Sequence, residues 1–157
     1  MILDSLILQT KLFLQEDMGI EIKGVKSSIL TQDKLELKDY TSMIGVGGKL
    51  NIMVVISYDE KMLQKLVELF MEGEEVDPSE AEEIIDSVAG ETINTIMGLA
   101  LPTFPNRGKG VTITPPIAIN DASNIIKQKS AKIVSAEVDT NFGKLSISAV
   151  GTDESIK

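Results

Sequence analysis

The chain has 157 residues with no cysteine and no histidine, which removes disulfides, cysteine nucleophiles, Ser-His-Asp triads and the usual ligand sets for zinc and haem. Its formal net charge is −9, and aromatic residues make up only 4% with no tryptophan, so neither a basic nucleic-acid footprint nor a base-stacking platform is expected, nor attraction to an anionic membrane surface. Any catalysis must come from carboxylates, amides, hydroxyls, lysines or a borrowed metal. The length suits one domain, 1–157, that buries about two thirds of its unfolded surface without covalent staples.

Residues 1–14 are apolar, but Asp4 stands where a signal peptide carries positive charge, and no small-residue cleavage site follows. No uninterrupted apolar run approaches the roughly 18 residues of a membrane span. The expected location is the cytoplasm.

Residues 2–16 place Ile2, Leu6, Ile7, Leu12, Phe13 and Leu14 at helical spacing, with Gly19 as the stop. Residues 20–25 alternate with period two and predict a strand, whereas the polar stretch 27–38 predicts a loop or short irregular strand. Residues 40–58 predict a hairpin turning at Gly45-Val46-Gly47-Gly48, with Leu50, Ile52, Val54, Ile56 and Tyr58 on one face and Asn51, Met53, Val55 and Ser57 on the other. Those glycines do not suit a phosphate cradle, because no helix opens after them and no Gly-Lys-Ser/Thr follows. Residues 59–71 predict a second helix with Met62, Leu63, Leu66, Val67 and Phe70 inward.

After a connection at 73–77, the longest helical pattern of the sequence runs to about Leu101 and stops at Pro102 and Pro105. Asp77-Pro78-Ser79-Glu80 predicts its start, with Asp77 as cap and proline in the first turn. At about 100° per residue, Ala81, Ile85, Val88, Ala89, Ile93, Ile96, Leu99 and Ala100 form the apolar face. Glu80, Ser87, Glu91, Asn94 and Gly98 fall opposite, with Ser87, Glu91 and Asn94 within roughly 60° of one another. Beyond the helix, 104–110 reads as a loop, and 111–115 with Ala118 as a short strand region broken by Pro115-Pro116. Residues 131–138 and 144–150 read as a hairpin around Asn141-Phe142-Gly143, and 151–157 as a frayed tail. Helix, strand and hairpin thus occur in 2–58 and again in 78–150, a duplicated α-plus-antiparallel-sheet pattern.

Polar residues opposite an apolar stripe ordinarily form a solvated face, and a lone Glu-x-x-Asn carries little weight. The fuller spacing, Ser87, Glu91, Asn94 and Pro116, arises in on the order of one random chain in several hundred. It resembles the signature of the CheC/CheX/FliY family of bacterial chemotaxis phosphatases. The resemblance extends to the hairpin at 45–57, the linking helix at 59–73, and Thr112-Ile113-Thr114-Pro115-Pro116 as the strand bearing the signature proline. The CheX type fits best. CheC-type members usually carry the Glu-x-x-Asn pair in both helices, whereas the first helix here reads Asp4-Ser5-Leu6-Ile7, with isoleucine in place of asparagine. FliY-type members add a C-terminal flagellar-switch domain, and the sequence to Lys157 holds none.

The resemblance implies an α+β, CheC-like fold with duplicated units forming a sheet under two long helices, and a homodimer joined through the sheets. It also implies a phosphatase that removes the aspartyl phosphate of a phosphorylated CheY-like response regulator. Asn94 would hold the attacking water in line, Glu91 would pair with the partner's lysine, and Mg2+ would sit on the partner, with no cofactor bound by this chain. Ser87, Gly98 and Pro116 are expected at the partner interface. Phosphoryl transfer asks a catalyst mainly to position a nucleophile and balance charge, and a carboxamide, able to donate and accept, can orient a water. A glutamate beside phosphate repels it unless a cation intervenes, which suits Glu91 to an ion pair. Two other readings stand beside this one: a non-catalytic module binding a receiver domain or a chemotaxis/flagellar protein, and an assembly protein joining through open sheet edges.

Overall fold

The computed structural model of the chain describes residues 2–30, 34–119, 125–127, 132–151 and 156. Among the described residues three α-helices form, each with one face apolar at helical spacing: α1 (Ile2–Leu12), α2 (Glu60–Phe70) and α3 (Ala81–Ala100). The strands are β1 (Ile22–Leu30), β2 (Lys34–Glu36), β3 (Tyr40–Gly48), β4 (Ile52–Tyr58), β5 (Val111–Ile113), β6 (Ile117–Ile119), β7 (Ile125–Lys127), β8 (Lys132–Thr140) and β9 (Gly143–Gly151). The main sheet is antiparallel throughout, in the order β1-β8-β9-β4-β3-β5, with β6 also on β3, and β2 pairs with β7 apart from it.

The expected duplication is visible in that order. Exchanging α1, β1, β3 and β4 for α3, β5/β6, β8 and β9 turns the sequence of strands into its own reverse. The central pair, β4 and β9, therefore joins the two halves, and the helices share one side. α1 lies over β8 and β9, and α3 over β3 and β6. Between helices and sheet, Leu6, Leu66, Ile93 and Ile96 meet Val54, Ile56, Val138 and Ile147, all wholly buried. Each such aliphatic side chain contributes about 2 kcal/mol relative to exposure. The other face of the sheet has a smaller cluster, Leu35, Val55, Ile133 and Val150, so β4 is buried on both sides with the alternation expected from its sequence.

Several expectations shift. The hairpin between β3 and β4 turns at Lys49-Leu50-Asn51, and the glycines at 45, 47 and 48 lie inside β3. Their reason is close approach: Thr114 covers Gly45, and a Cβ on Gly48 would stand 2.2 Å from the Gly110 carbonyl oxygen. Residues 27–30 belong to β1, paired with β8; Ser27 and Ser28 read as loop because an edge strand exposes both faces. α1 ends in a π turn, Phe13–Asp17, whose extra residue brings Phe13 and Leu14 inward and leaves Leu12 40% exposed. Asp77 caps a turn through Ser79 rather than α3 itself, which begins at Ala81. Leu99 is 48% exposed, and Gly90, Thr92 and Met97 are buried in addition to the expected stripe. In the last segment Gly151 closes β9 and Ile156 is buried in the main core, so neither is frayed; 152–155 and 157 lie outside the described residues, as does Ala131.

By length and mean hydropathy alone, Ala81–Thr103 passes as a membrane span, 23 residues at 1.2. Much of that hydropathy is spent inside the protein, where Ile93, Ile96, Met97 and Ala100 are wholly buried.

Candidate functional site

Helix α3 carries the candidate site on the face turned from the sheet. Ser87, Glu91, Asn94 and Gly98 are all exposed, as their spacing predicts. Burial of Val88, Ala89, Ile93, Ile96 and Met97 sets which side of the helix turns inward, so an outward polar face follows from the core. The Glu91 carboxylate accepts a long hydrogen bond, 3.5 Å, from the Thr95 hydroxyl one turn on. No intramolecular hydrogen bond holds the Asn94 amide among the described residues. Both groups are available to a partner.

Pro116 reaches this helix through a bulge. Val46 pairs with Ile113 and Met43 with Ile117, so β3 sets Ile44 and Gly45 against three residues, Thr114-Pro115-Pro116. Neither proline can donate to the ladder. Thr114 compensates, its N–H donating to the Gly45 carbonyl at 2.9 Å and its hydroxyl accepting from the Gly45 N–H at 2.9 Å. The extra residue turns Pro116 onto α3, where its Cγ would lie 3.5 Å from a Cβ at Gly90. Gly90 thus lets the proline rest against the helix backbone immediately before Glu91.

Between the bulge and the helix lies an open groove of about 830 Å³, lined by Ser79, Glu82, Glu83, Asp86, Ser87, Gly90, Glu91, Pro116 and Ala118. Three expected site residues, Ser87, Glu91 and Pro116, meet there; Asn94 and Gly98 continue the exposed face beyond it. Sequence reasoning passed over Glu82, Glu83 and Asp86, although their offsets from Glu91 place them on neighbouring turns. Asp86 Oδ1 is buried there without a protein partner among the described residues. Four carboxylates so make the groove strongly acidic, yet no group of three or more acidic residues is placed to hold a metal ion among the described residues.

The sequence reading also passed over Tyr58 as a residue of the site. Its ring is buried beneath α3, and its hydroxyl lies 3.0 Å from Ser42 Oγ and donates to the Ala89 carbonyl at 3.3 Å. Burial pushes its ionisation well above the ordinary tyrosine range, outweighing the opposing effect of the Ser42 hydroxyl, so the hydroxyl stays protonated as a donor. A lone tyrosine among aliphatic core positions of a strand was the available signal, since a buried tyrosine hydroxyl needs a partner.

An antiparallel sheet under helices, with a carboxylate and a carboxamide presented on one helix beside a bulged proline, is the α+β, CheC-like arrangement that the sequence resemblance implied. The family model for chemotaxis phosphatase CheX matches residues 40–138, and the chain belongs to the CheX family. Among solved structures, a putative chemotaxis protein of Desulfovibrio vulgaris Hildenborough superposes with a TM-score of 0.81 at 18% identity, covering 96% of each chain. The chemotaxis protein CheX of Desulfovibrio desulfuricans gives 0.80 at 16% identity, over 94% of this chain and 97% of that one. A chain of the CheX–CheY–BeF3–Mg2+ complex of Borrelia burgdorferi gives 0.77 at 17% identity, over 96% and 97%. At these identities the likeness is one of fold. No curated protein matches by sequence.

Proposed function

We propose that this chain, acting as one CheX-like domain in the cytoplasm, hydrolyses the aspartyl phosphate of a CheY-like response regulator. The observation that carries the reading is the exposed Glu91 and Asn94 pair on the outward face of α3, in a member of a phosphatase family. Asn94 enters the receiver's active site and holds a water in line with the phosphorus, donating through its NH2 or accepting through its carbonyl. Glu91 pairs with a lysine of the receiver. The acidic groove beside Glu91 supports that pairing, because it favours an approaching ammonium group over an anion. Mg2+ belongs to the receiver, which supplies the charge compensation that this side lacks. Ser87, Gly98 and Pro116 border the contact. The Borrelia complex is one of a CheX with CheY, which supports a receiver as the partner class.

The test is phosphate release from a phosphorylated CheY-type receiver with Mg2+, using wild type and Asn94→Ala. Wild type is expected to accelerate release, and the variant to lose at least tenfold, about 1.4 kcal/mol of barrier. Receiver binding without acceleration by wild type would leave a binding module. A homodimer through a sheet edge is part of the proposal, β1 being a nine-residue edge strand with no outer partner among the described residues. A monomer by light scattering at micromolar concentration would remove that part alone.

A further inference from the structure

The contact between α3 and the sheet is mostly apolar, and apolar contacts are non-directional. Such a surface holds a helix down without fixing its rotation or its position along its axis to the tolerance that positioning chemistry needs. The Tyr58 hydroxyl supplies a directional contact at the right place. Tyr58 is 1% exposed and Ser42 wholly buried, so both groups sit in a medium where an unpaired hydroxyl is costly. The hydroxyl donates to the Ala89 carbonyl at 3.3 Å, which obliges the Ser42 hydroxyl, 3.0 Å away, to donate to Tyr58 in turn. Ala89 lies between Ser87 and Glu91 in the chain and immediately before the Gly90 on which Pro116 rests. One relay, Ser42 to Tyr58 to Ala89, therefore connects strands β3 and β4 to the turn of α3 that bears the site.

From this geometry we infer that Tyr58, oriented by Ser42, is a positioning residue for Glu91 and Asn94: its hydrogen bond to the Ala89 carbonyl sets the rotation and axial position of the site-bearing turn. It touches neither phosphate nor receiver. The inference rests on the proposed function for its kinetic consequence, though its structural half stands by itself.

Tyr58→Phe keeps the ring and deletes the hydroxyl. The Ser42→Ala variant deletes the orienting donor, and Ile133→Ala, in β8 within the cluster on the other face of the sheet, controls for lost stability. Two readouts are taken on the full chain. Backbone and side-chain amide NMR shifts of residues 87–94 report position, and single-turnover phosphate release at saturating phosphorylated receiver reports function. Tyr58→Phe is expected to move the shifts across 87–94 and to slow turnover about tenfold, with receiver affinity unchanged, since small misplacements cost that much. Ser42→Ala follows it more weakly, and Ile133→Ala lowers the melting temperature while leaving shifts and turnover in place. Unmoved shifts at 87–94 in Tyr58→Phe overturn the inference whatever the activity. Moved shifts with wild-type turnover also overturn it, as does a loss matched by Ile133→Ala. If wild type and Asn94→Ala release phosphate equally slowly, the proposed function falls, and the shifts alone judge the relay.

Discussion

Gly98 separates two causes that act with opposite sign. Nothing lies within 4 Å of where its Cβ would be, and the position is exposed in the last turn of α3. Gly98→Ala should therefore stabilise the free protein by up to about 1 kcal/mol through helix propensity alone, read as a higher urea midpoint. The same methyl should hold a docked receiver off the helix and weaken its binding in a titration; unchanged affinity would make Gly98 merely a tolerated residue. Gly48 has one role only. With φ at +84° and the Gly110 carbonyl oxygen 2.2 Å from its missing Cβ, Gly48→Ala should cost about 2 kcal/mol or more in chemical denaturation. Asp59 gives a pH dependence. Burial pushes its carboxyl up, but the Lys38 ammonium at 2.6 Å and the Lys144 N–H at 2.7 Å, with both lysine charges, prevail and hold it below its ordinary value of 3.8. A depressed folded-state pKa contributes stability above the unfolded pKa and loses it as pH falls through the folded one. The contribution is reduced by solvent, because the carboxylate is 38% exposed. Wild type should consequently lose more of its urea midpoint than Asp59→Asn between about pH 5 and about pH 2; parallel curves would contradict the assignment.

At the scale of elements, what the sequence discloses depends on whether a residue's reason is local. The polar face of α3 was legible because a helix of five turns repeats its pattern often enough for Ser87, Glu91, Asn94 and Gly98 to separate from the stripe. The alternation of β4 was legible for the same reason, each face meeting its own cluster. The glycines of β3 were not, since a turn and a close approach demand the same residue, and only the distant Thr114 and Gly110 tell them apart. Leu99 misled because periodicity assumes the contact surface runs the whole length of the helix. Pro116 was marked by spacing, but the bulge that turns it onto Gly90 depends on a register set by β3. Tyr58 lay in plain view; its partner is a main-chain carbonyl, which no residue pattern records.

For the whole molecule, the reversal symmetry of the sheet means that each half alone retains only one paired hairpin, β3–β4 or β8–β9. A two-stranded hairpin is marginal in water. Fragments 1–75 and 76–157, cut in the exposed connection before α3, should each lack a cooperative melt and regain one when mixed. A cooperative transition in either fragment alone would contradict this. The same interleaving bears on birth as well as on endurance. β1 is made well before β8, the strand it pairs with, and β4 waits likewise for β9. Throughout synthesis the nascent chain must therefore carry unzipped, Ile- and Val-rich strands. Its vulnerable interval ends only when the β8–β9 hairpin emerges from the ribosome, and a chaperone able to shield the strands made before it should raise its yield more than any improvement in its finished core.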